Sequence, residues 1–293
     1  MSFEIINNNC IDVLRNGKIK QLIDLTFLDP PFNQGKDYNY HIDDMDEDEY
    51  WQMIKEVCEQ TYKITSSGGA IYFMQREKNA ENVLKVLREA NWTLQNLIIW
   101  KKKTSAIPGM NRFGKQYQII AFATKGEKPR IFNHLRISPP LPPNYKFERE
   151  NGVLLTDVWD DIRELTSGYF AGNEAIRKEN GERFHKQQSP IALLLRIILS
   201  STKAGDFVFD PFAGTGTTLI TALQLQRNSI GIEIDPTNVN SIKERINIIS
   251  DSDVIDKYYK DYILSENIAE IWGANLENNA LNNKRNFTLF ETK

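Results

Sequence analysis

Phe209-Asp210-Pro211-Phe212-Ala213-Gly214-Thr215-Gly216-Thr217-Thr218 stands between a short apolar run, Phe207 to Phe209, and a helical pattern that begins after Gly216. Proline cannot continue a strand ladder, and glycine lets the backbone turn tightly, so the stretch reads as strand, turn and helix. The next apolar run, Ser229 to Glu233, leads through Asp235 into a helix over Pro236 to Ile249. Strands alternating with helices in this way build a parallel sheet with helices on its faces.

The same alternation extends upstream. Leu25 to Leu28 predicts a strand that stops at Asp29-Pro30-Pro31. The acidic run Asp43 to Glu49 opens a helix whose apolar face (Trp51, Ile54, Val57, Cys58) recurs at helical spacing. Gly68-Gly69 closes that unit, and Ala70 to Met74 is the next strand. An amphipathic helix follows over Glu77 to Ala90, then strands at Leu97 to Trp100 and Tyr117 to Ala123. From Lys125 to about Arg183 the periodicity dissolves into loop chemistry, including Ser138-Pro139-Pro140-Leu141-Pro142-Pro143, with a brief apolar patch at Val158-Trp159. Regularity returns with a helix from Pro190 to Ser201, its proline placed in the first turn. The tail, 251–293, holds a helical stretch around Tyr258 to Trp272 and an Asn-rich segment from Asn275 to Asn286. The expected fold is α/β, a doubly wound, mostly parallel Rossmann-like sheet interrupted by an irregular insertion.

With 293 residues, 41% hydrophobic and 26% charged, the composition is that of an ordinary globular chain, which excludes collagen-like and wholly disordered architectures. No apolar run approaches the roughly 20 residues of a membrane helix. The first residues lack the pattern of a secretory signal, so a cytoplasmic, non-membrane protein is expected. Two cysteines, Cys10 and Cys58, and three scattered histidines supply neither a disulfide framework nor a metal cluster. The net charge of −3 hides a gradient: Lys101 to Glu150 holds eleven Lys or Arg against three Glu, a local +8, leaving −11 on the remainder. A polyanion facing that segment alone would be attracted, although a solvated lysine-rich face is the commoner meaning of such a run.

Two motifs carry chemistry. In Asp210 to Thr218 the glycines allow close approach of a ligand, and Glu233, at the end of the next strand, can take both hydroxyls of a ribose. This describes an adenosine-type cofactor site. A dinucleotide fingerprint is excluded by Leu219 where a third glycine is required, and a P-loop by the missing lysine after Gly216. A purely structural glycine turn accounts for Gly214 and Gly216 but not for Asp210 and Glu233 both falling at strand ends. The second motif, Leu28-Asp29-Pro30-Pro31-Phe32-Asn33, also closes a strand. An exocyclic amine on a nucleobase is a poor nucleophile because its lone pair is delocalised into the ring. A carboxylate and a rigid proline carbonyl accepting its two N–H groups would draw it toward a tetrahedral shape. Phe32 offers a ring for a base withdrawn from a duplex. Taken alone, the tetrapeptide reads better as a tight turn at a strand end.

Together the motifs resemble those of S-adenosylmethionine-dependent DNA amino-methyltransferases, which methylate adenine N6 or cytosine N4. The resemblance spans about residues 4–249. The order, catalytic motif first, then a basic insertion, then the cofactor motif, is similar to the family's β class. Further matches are Gly35-Lys36-Asp37-Tyr38, Gly68-Gly69-Ala70-Ile71-Tyr72, Ile99-Trp100-Lys101-Lys102, Thr156-Asp157-Val158-Trp159, His185 to Pro190 and Arg227 to Glu233. The resemblance implies a catalytic half over 1–124, a target-recognition region over 125–184, a cofactor-binding half over 185–250 and a C-terminal extension over 251–293. It implies Asp29, Pro30, Pro31 and Phe32 as catalytic residues. S-Adenosyl-L-methionine is the implied cofactor, held by Asn9, Cys10, Asp29, His185, Gln188, Ser189, Asp210, Phe212, Gly214, Gly216, Thr217, Glu233 and Ile234. Double-stranded DNA is the implied partner, met by Lys36, Tyr38, Lys101, Lys102, Lys103 and Arg112, with no metal ion required. D-P-P-F resembles the adenine-N6 pattern more than the S-P-P-Y of many cytosine-N4 enzymes. A cognate restriction endonuclease is an expected companion. The acidic tail covers a sheet edge, forms a homodimer contact or is a solvated extension.

The chain departs from the family pattern in three places. Ser189 replaces a frequent lysine, Asn9 replaces an acid, and Tyr117-Gln118 replaces a frequent His-Glu. Rival readings are methylation of RNA or of a protein glutamine, and a DNA-binding protein without turnover. A dehydrogenase is disfavoured by the failed glycine fingerprint.

Overall fold

The computed structural model describes residues 1–35, 37–38, 41–42, 44–137, 152–165, 174–176 and 188–262. Its strands are β1 (Phe3–Asn7), β2 (Ile23–Leu28), β3 (Asp37–Tyr38), β4 (His41–Ile42), β5 (Thr65–Arg76), β6 (Thr93–Lys101), β7 (Tyr117–Thr124), β8 (Arg136–Ile137), β9 (Val153–Leu154), β10 (Val158–Trp159), β11 (Phe207–Asp210) and β12 (Asn228–Glu233). The helices are α1 (Cys10–Arg15), α2 (Glu47–Ile64), α3 (Ala80–Glu89), α4 (Ile191–Ser201), α5 (Thr217–Gln224) and α6 (Pro236–Asn247).

Eight strands form one sheet in the order β1-β12-β11-β2-β5-β7-β6-β10. All neighbours pair in parallel except β7, which runs antiparallel between β5 and β6. Period-two alternation divides the side chains between two cores. Ile71, Phe73, Ile119 and Ala121 face α1, α2 and α3, while Tyr72, Ile120 and Phe122 face α4. Helices on both faces of a mostly parallel sheet make the expected doubly wound α/β fold. The chain winds outward in opposite directions from β11 and β2, so the switch point lies between these two strands, where open α/β sheets bind ligands.

The expected elements recur with shifted ends, and each shift has a local cause. Asp46 caps α2 by accepting the N–H groups of Asp48 and Glu49. The helix predicted over Glu77 to Ala90 starts as a 3₁₀ turn, Glu77–Asn79, before α3. Pro190 is the N-cap of α4, with φ −69° and ψ 146°, not a residue of its first turn. Gly68-Gly69 does not precede β5 but lies within it. Gly68 has φ +72°, and a Cβ there would meet the Arg130 backbone nitrogen at 2.7 Å, so a close crossing of chains sets that glycine.

The insertion is less irregular than its sequence suggests. Val158–Trp159 extends the sheet as a short parallel edge strand on Ile99 and Trp100. Its Trp159 ring packs on the buried guanidinium of Arg196 in α4, which is paired with Asp161. The proline-rich run at 138–143 and the Asn-rich segment lie outside the described residues. Of the helix expected over Tyr258 to Trp272, the described part is the end of a 3₁₀ turn, Asp256–Asp261. Among the described residues no helix is long and apolar enough to cross a membrane.

Candidate active site

Strand register brings the two motifs together. Thr26 of β2 pairs with Phe209 of β11, and Asp210 pairs with Gly231 of β12. Asp29 and Glu233 therefore flank the carboxyl end of β11 from either side, on strands about 10 Å apart at the usual spacing of about 4.8 Å per strand. On the other flank Leu28 pairs with Phe73, Arg76 with Gln118, and Gln118 with Trp100. The ends of β5 and β6 and the start of β7 thus gather beside Asp29.

A cavity of about 240 Å³ opens at this gathering, lined by Asp29, Phe32, Met74, Trp100, Lys102 and Gln118 together with Thr104, Glu164, Leu165, Gln188 and Ser189. Its lining combines the Phe32 and Trp100 rings and Met74 with several polar groups, the usual composition of a small-molecule site. The Ser189 hydroxyl donates to Asp29 Oδ2 at 3.1 Å. The turn after Asp29 is held from beneath. Tyr50, in the first turn of α2, donates its hydroxyl to the Pro31 carbonyl at 2.8 Å and accepts from Gln75 Nε2 at 3.0 Å. Asn33, at φ 51°, exchanges two hydrogen bonds with the Met45 backbone, at 2.7 and 2.8 Å. The D-P-P-F turn is thus held at Pro31 and Asn33 by partly buried polar contacts.

The second motif forms a turn between the ends of β11 and β12. Gly214 and Gly216 both have positive φ, 53° and 78°. A Cβ on Gly216 would meet Ile242 Cγ1 at 2.7 Å, so the packing of α6 against the turn also requires glycine there. Glu233 accepts the N–H groups of Gly214 and Asp235 at 2.8 Å each and the Asn238 amide at 3.3 Å. Burial, joined by the charge of Asp235, outweighs these bonds and raises the Glu233 pKa above its ordinary value. Asp210 is deeper still. Burial pushes its pKa up to about 7, against the opposing bonds from the Thr218 hydroxyl and the Phe212 N–H. Residues 7–9 wrap the end of β12: Asn7 Nδ2 donates to the Glu233 and Ile234 carbonyls, and the Asn8 N–H donates to the Glu233 carbonyl. Asn9 caps α1 with its Oδ1, and Cys10 is buried, its thiol pushed up to about 12 by desolvation.

Phe212 sits on the glycine turn and Thr217 opens α5 just after it, and Phe32 is buried in the cavity wall. Gln188 lines that wall, but its amide bonds the backbones of Glu174 and Ile176, so it clamps that segment. Lys101, Lys103 and Arg112 are exposed, Lys101 at 3.9 Å from Asp160. Lys102 instead turns inward, its ammonium 5.3 Å from the Trp100 ring centroid and in the cavity wall. Lys36 and His185 lie outside the described residues, and of Tyr38 only the backbone, in β3, is described.

Sequence reasoning missed Tyr50, Gln75, Gln118 and Glu164. Glu164 accepts the N–H groups of Lys103 and Thr104 at 2.9 Å each, and the Thr104 hydroxyl. Burial works against its ionisation, but these donors outweigh it and lower its pKa. Two signals were present in the sequence: Ser189 and Gln118 were both departures from a pattern, and both line the cavity.

The chain matches the N6/N4 DNA methylase family over residues 23–244. It belongs to that family. It is 30% identical over 246 residues to the type II methyltransferase M.HpaI of Haemophilus parainfluenzae, covering 84% of this chain and 74% of that one. It is also 30% identical over 247 residues to the DNA adenine methyltransferase YhdJ of Escherichia coli K12, covering 78% and 77%. Among solved structures, the M1.HpyAVI–SAM complex shares the fold with a TM-score of 0.58 at 20% identity, over 84% of this chain and 100% of that one. The cytosine-N4-specific PvuII DNA methyltransferase does so with a TM-score of 0.60 at 17% identity, over 96% and 93%. This DNA methylase is thus an enzyme of the Rossmann-like methyltransferase fold, with S-adenosylmethionine as its cofactor and DNA as its substrate.

The residues at the β11–β12 end fit that cofactor. Glu233 is a buried carboxylate held in one orientation by two backbone donors, beside a turn with two positive-φ glycines. Ile234, partly exposed, offers apolar surface next to it.

Proposed function

We propose that this DNA methylase transfers methyl groups to adenine N6 of a base extruded from duplex DNA, as the modification arm of a restriction system. The observation that carries the reading is the placement of the Asp29 carboxylate and the Phe32 and Trp100 rings on one cavity beside the switch point, with Asp29 one strand away from the glycine turn. The aspartate in D-P-P-F supports adenine over cytosine. The similarity to a chain named as an adenine methyltransferase and to one named as a type II methyltransferase supports the base and the restriction role.

In this reading S-adenosylmethionine supplies an electrophilic methyl group when bound, with Glu233 holding the ribose hydroxyls and Ile234 and Asn9 flanking the adenine. Phe32 and Trp100 stack the extruded base in the cavity. Asp29 accepts one N–H of its amine and the Pro30 carbonyl accepts the other, which draws the hydrogens out of the ring plane and frees the nitrogen lone pair. Positive charge grows on that nitrogen as its bond to the methyl group forms and the sulfur–methyl bond breaks, and the fixed carboxylate of Asp29 stabilises it; a neutral thioether is left behind and the surplus amine proton passes to solvent. Ser189 donates to the other face of this carboxylate and keeps it aimed. Much of the acceleration comes from holding the reactants in line. Lys101, Lys103 and Arg112 meet phosphates, which position the duplex without specifying sequence. The region over 125–184 reads the recognition sequence.

Modification-sensitive sequencing of DNA from cells expressing the chain tests this. N6-methyladenine in one sequence context is expected. N4-methylcytosine in its place would overturn the choice of base, and unmodified DNA would overturn the reading.

A further inference from the structure

The connection between β6 and β7 carries a feature that methyl transfer leaves unused. Ile107, Met110 and Phe113 are 92%, 103% and 96% exposed. Single exposed apolar side chains are common on protein surfaces, but these three cluster at the tip of one excursion. The excursion is a tied hairpin. The Lys102 N–H donates to the Gln116 carbonyl at 2.7 Å and the Ala106 N–H to the Lys115 carbonyl at 2.8 Å. Gly114 permits the close approach, since a Cβ there would meet the Ala106 carbonyl oxygen at 2.4 Å. The tip turns through a bridge between Gly109 and Arg112. The Glu164 carboxylate grips the Lys103 and Thr104 N–H groups at the base.

The legs of the hairpin are part of the catalytic cavity: Lys102 and Thr104 on the way out and Gln118 just after the return. Lys103 and Arg112 are exposed beside the apolar tip. We propose that this tip is a wedge that enters the DNA base stack at the target step, with Ile107, Met110 and Phe113 filling the gap left by the extruded base. The inference rests on the reading that the cavity receives a base from duplex DNA. Isoleucine, methionine and phenylalanine are side chains that wedge between base steps, and cations beside them neutralise the flanking phosphates. An extruded base loses pairing and stacking, and an apolar group that refills the stack recovers part of that loss. A lipid surface or a second protein would also cover an apolar tip. The flanking cations and the hairpin's origin in the cavity wall favour DNA.

The test compares wild type with the triple variant Ile107→Ala, Met110→Ala, Phe113→Ala on two duplexes carrying the recognition sequence. One is fully paired, and the other has an abasic site opposite the target base, which is then held only by stacking. A third duplex, with 2-aminopurine at the target position, reports extrusion by its fluorescence. On paired duplex the variant is expected to lose about tenfold in kcat/KM and most of the fluorescence rise, because refilling the stack is what it lacks. On the abasic duplex it recovers to within about threefold of wild type, because extrusion there needs little help. Equal activity and fluorescence of both proteins on paired duplex overturns the wedge. So does an equal loss on both duplexes, or a change of oligomeric state with paired-duplex activity intact, which assigns the tip to a protein contact. A wild-type chain that methylates neither duplex overturns the base-in-cavity reading, and the wedge with it.

Discussion

Replacing Tyr50 with phenylalanine removes one oxygen from beneath the catalytic turn and leaves the ring in place. That oxygen is buried, donates to the Pro31 carbonyl at 2.8 Å and accepts from Gln75 at 3.0 Å. Each lost bond removes about 1 kcal/mol net, and partners left unsatisfied in the interior raise the total to about 2–3 kcal/mol. For a chain of this length the melting temperature falls by about 2–4 °C per kcal/mol, so a drop of about 4–12 °C is expected. The functional effect is separate. Without the strut, the turn carrying Asp29 and the Pro30 carbonyl loses its fixed aim, and a displacement approaching 1 Å at reacting groups reduces rate by up to about a hundredfold. Single-turnover methylation, measured well below the variant's melting temperature, should fall about tenfold, between no effect and that limit. DNA affinity and cofactor affinity should stay near wild type, since Tyr50 lies behind the cavity wall rather than in it. A variant whose melting temperature falls as expected while its single-turnover rate stays within about twofold of wild type would refute the positioning role and leave Tyr50 a purely structural residue.

Three further outcomes follow from the site. Ser189→Ala removes the donor on Asp29 Oδ2 and should lower the single-turnover rate about three- to tenfold, because one charge-assisted bond no longer aims the carboxylate; an unchanged rate contradicts this. Glu233 has a raised pKa, and in the proposed role its ionised carboxylate accepts the ribose hydroxyls most strongly, so cofactor affinity by calorimetry should weaken as pH falls from neutral toward that pKa. Glu233→Gln should bind weakly with no such slope. Asp210 titrates near 7 in the fold against 3.8 as its ordinary value. The stability it contributes is therefore full below about 3.8 and lost as pH rises through about 7. Chemical denaturation of wild type and Asp210→Asn should show the wild-type advantage shrinking between pH 4 and pH 7.5; a constant difference contradicts it.

What the sequence revealed, and what it hid, divides along the range of the forces involved. The turns after β2 and β11 were legible because proline, glycine and capping chemistry act within a few residues. Glu233 was legible because a strand end followed by Asp235-Pro236 is a local signal. Strand β1 was passed over: five residues at a sheet edge, half exposed, ending in asparagines, make no long apolar run. The antiparallel direction of β7 leaves no trace in its apolar pattern, since alternation is the same in either direction. Gly68 misled because it was read as a break, whereas its positive φ is set by a chain crossing at Arg130, 62 positions away. The cavity wall was hidden for the same reason. Gln118 faces Asp29 only through the register of β5, β7 and β6, and Glu164 arrives from an insertion whose sequence shows little periodicity.

The account turns on Asp29. Methyl transfer to adenine in duplex DNA, followed in a single turnover with wild type and Asp29→Ala at saturating cofactor and DNA, tests it most directly. The expected result is a loss of at least about a thousandfold in rate with both ligands still bound, since the variant keeps Glu233 and the cationic surface but lacks the proposed acceptor for the amine. An Asp29→Ala enzyme that methylates at the wild-type rate would contradict the central claim.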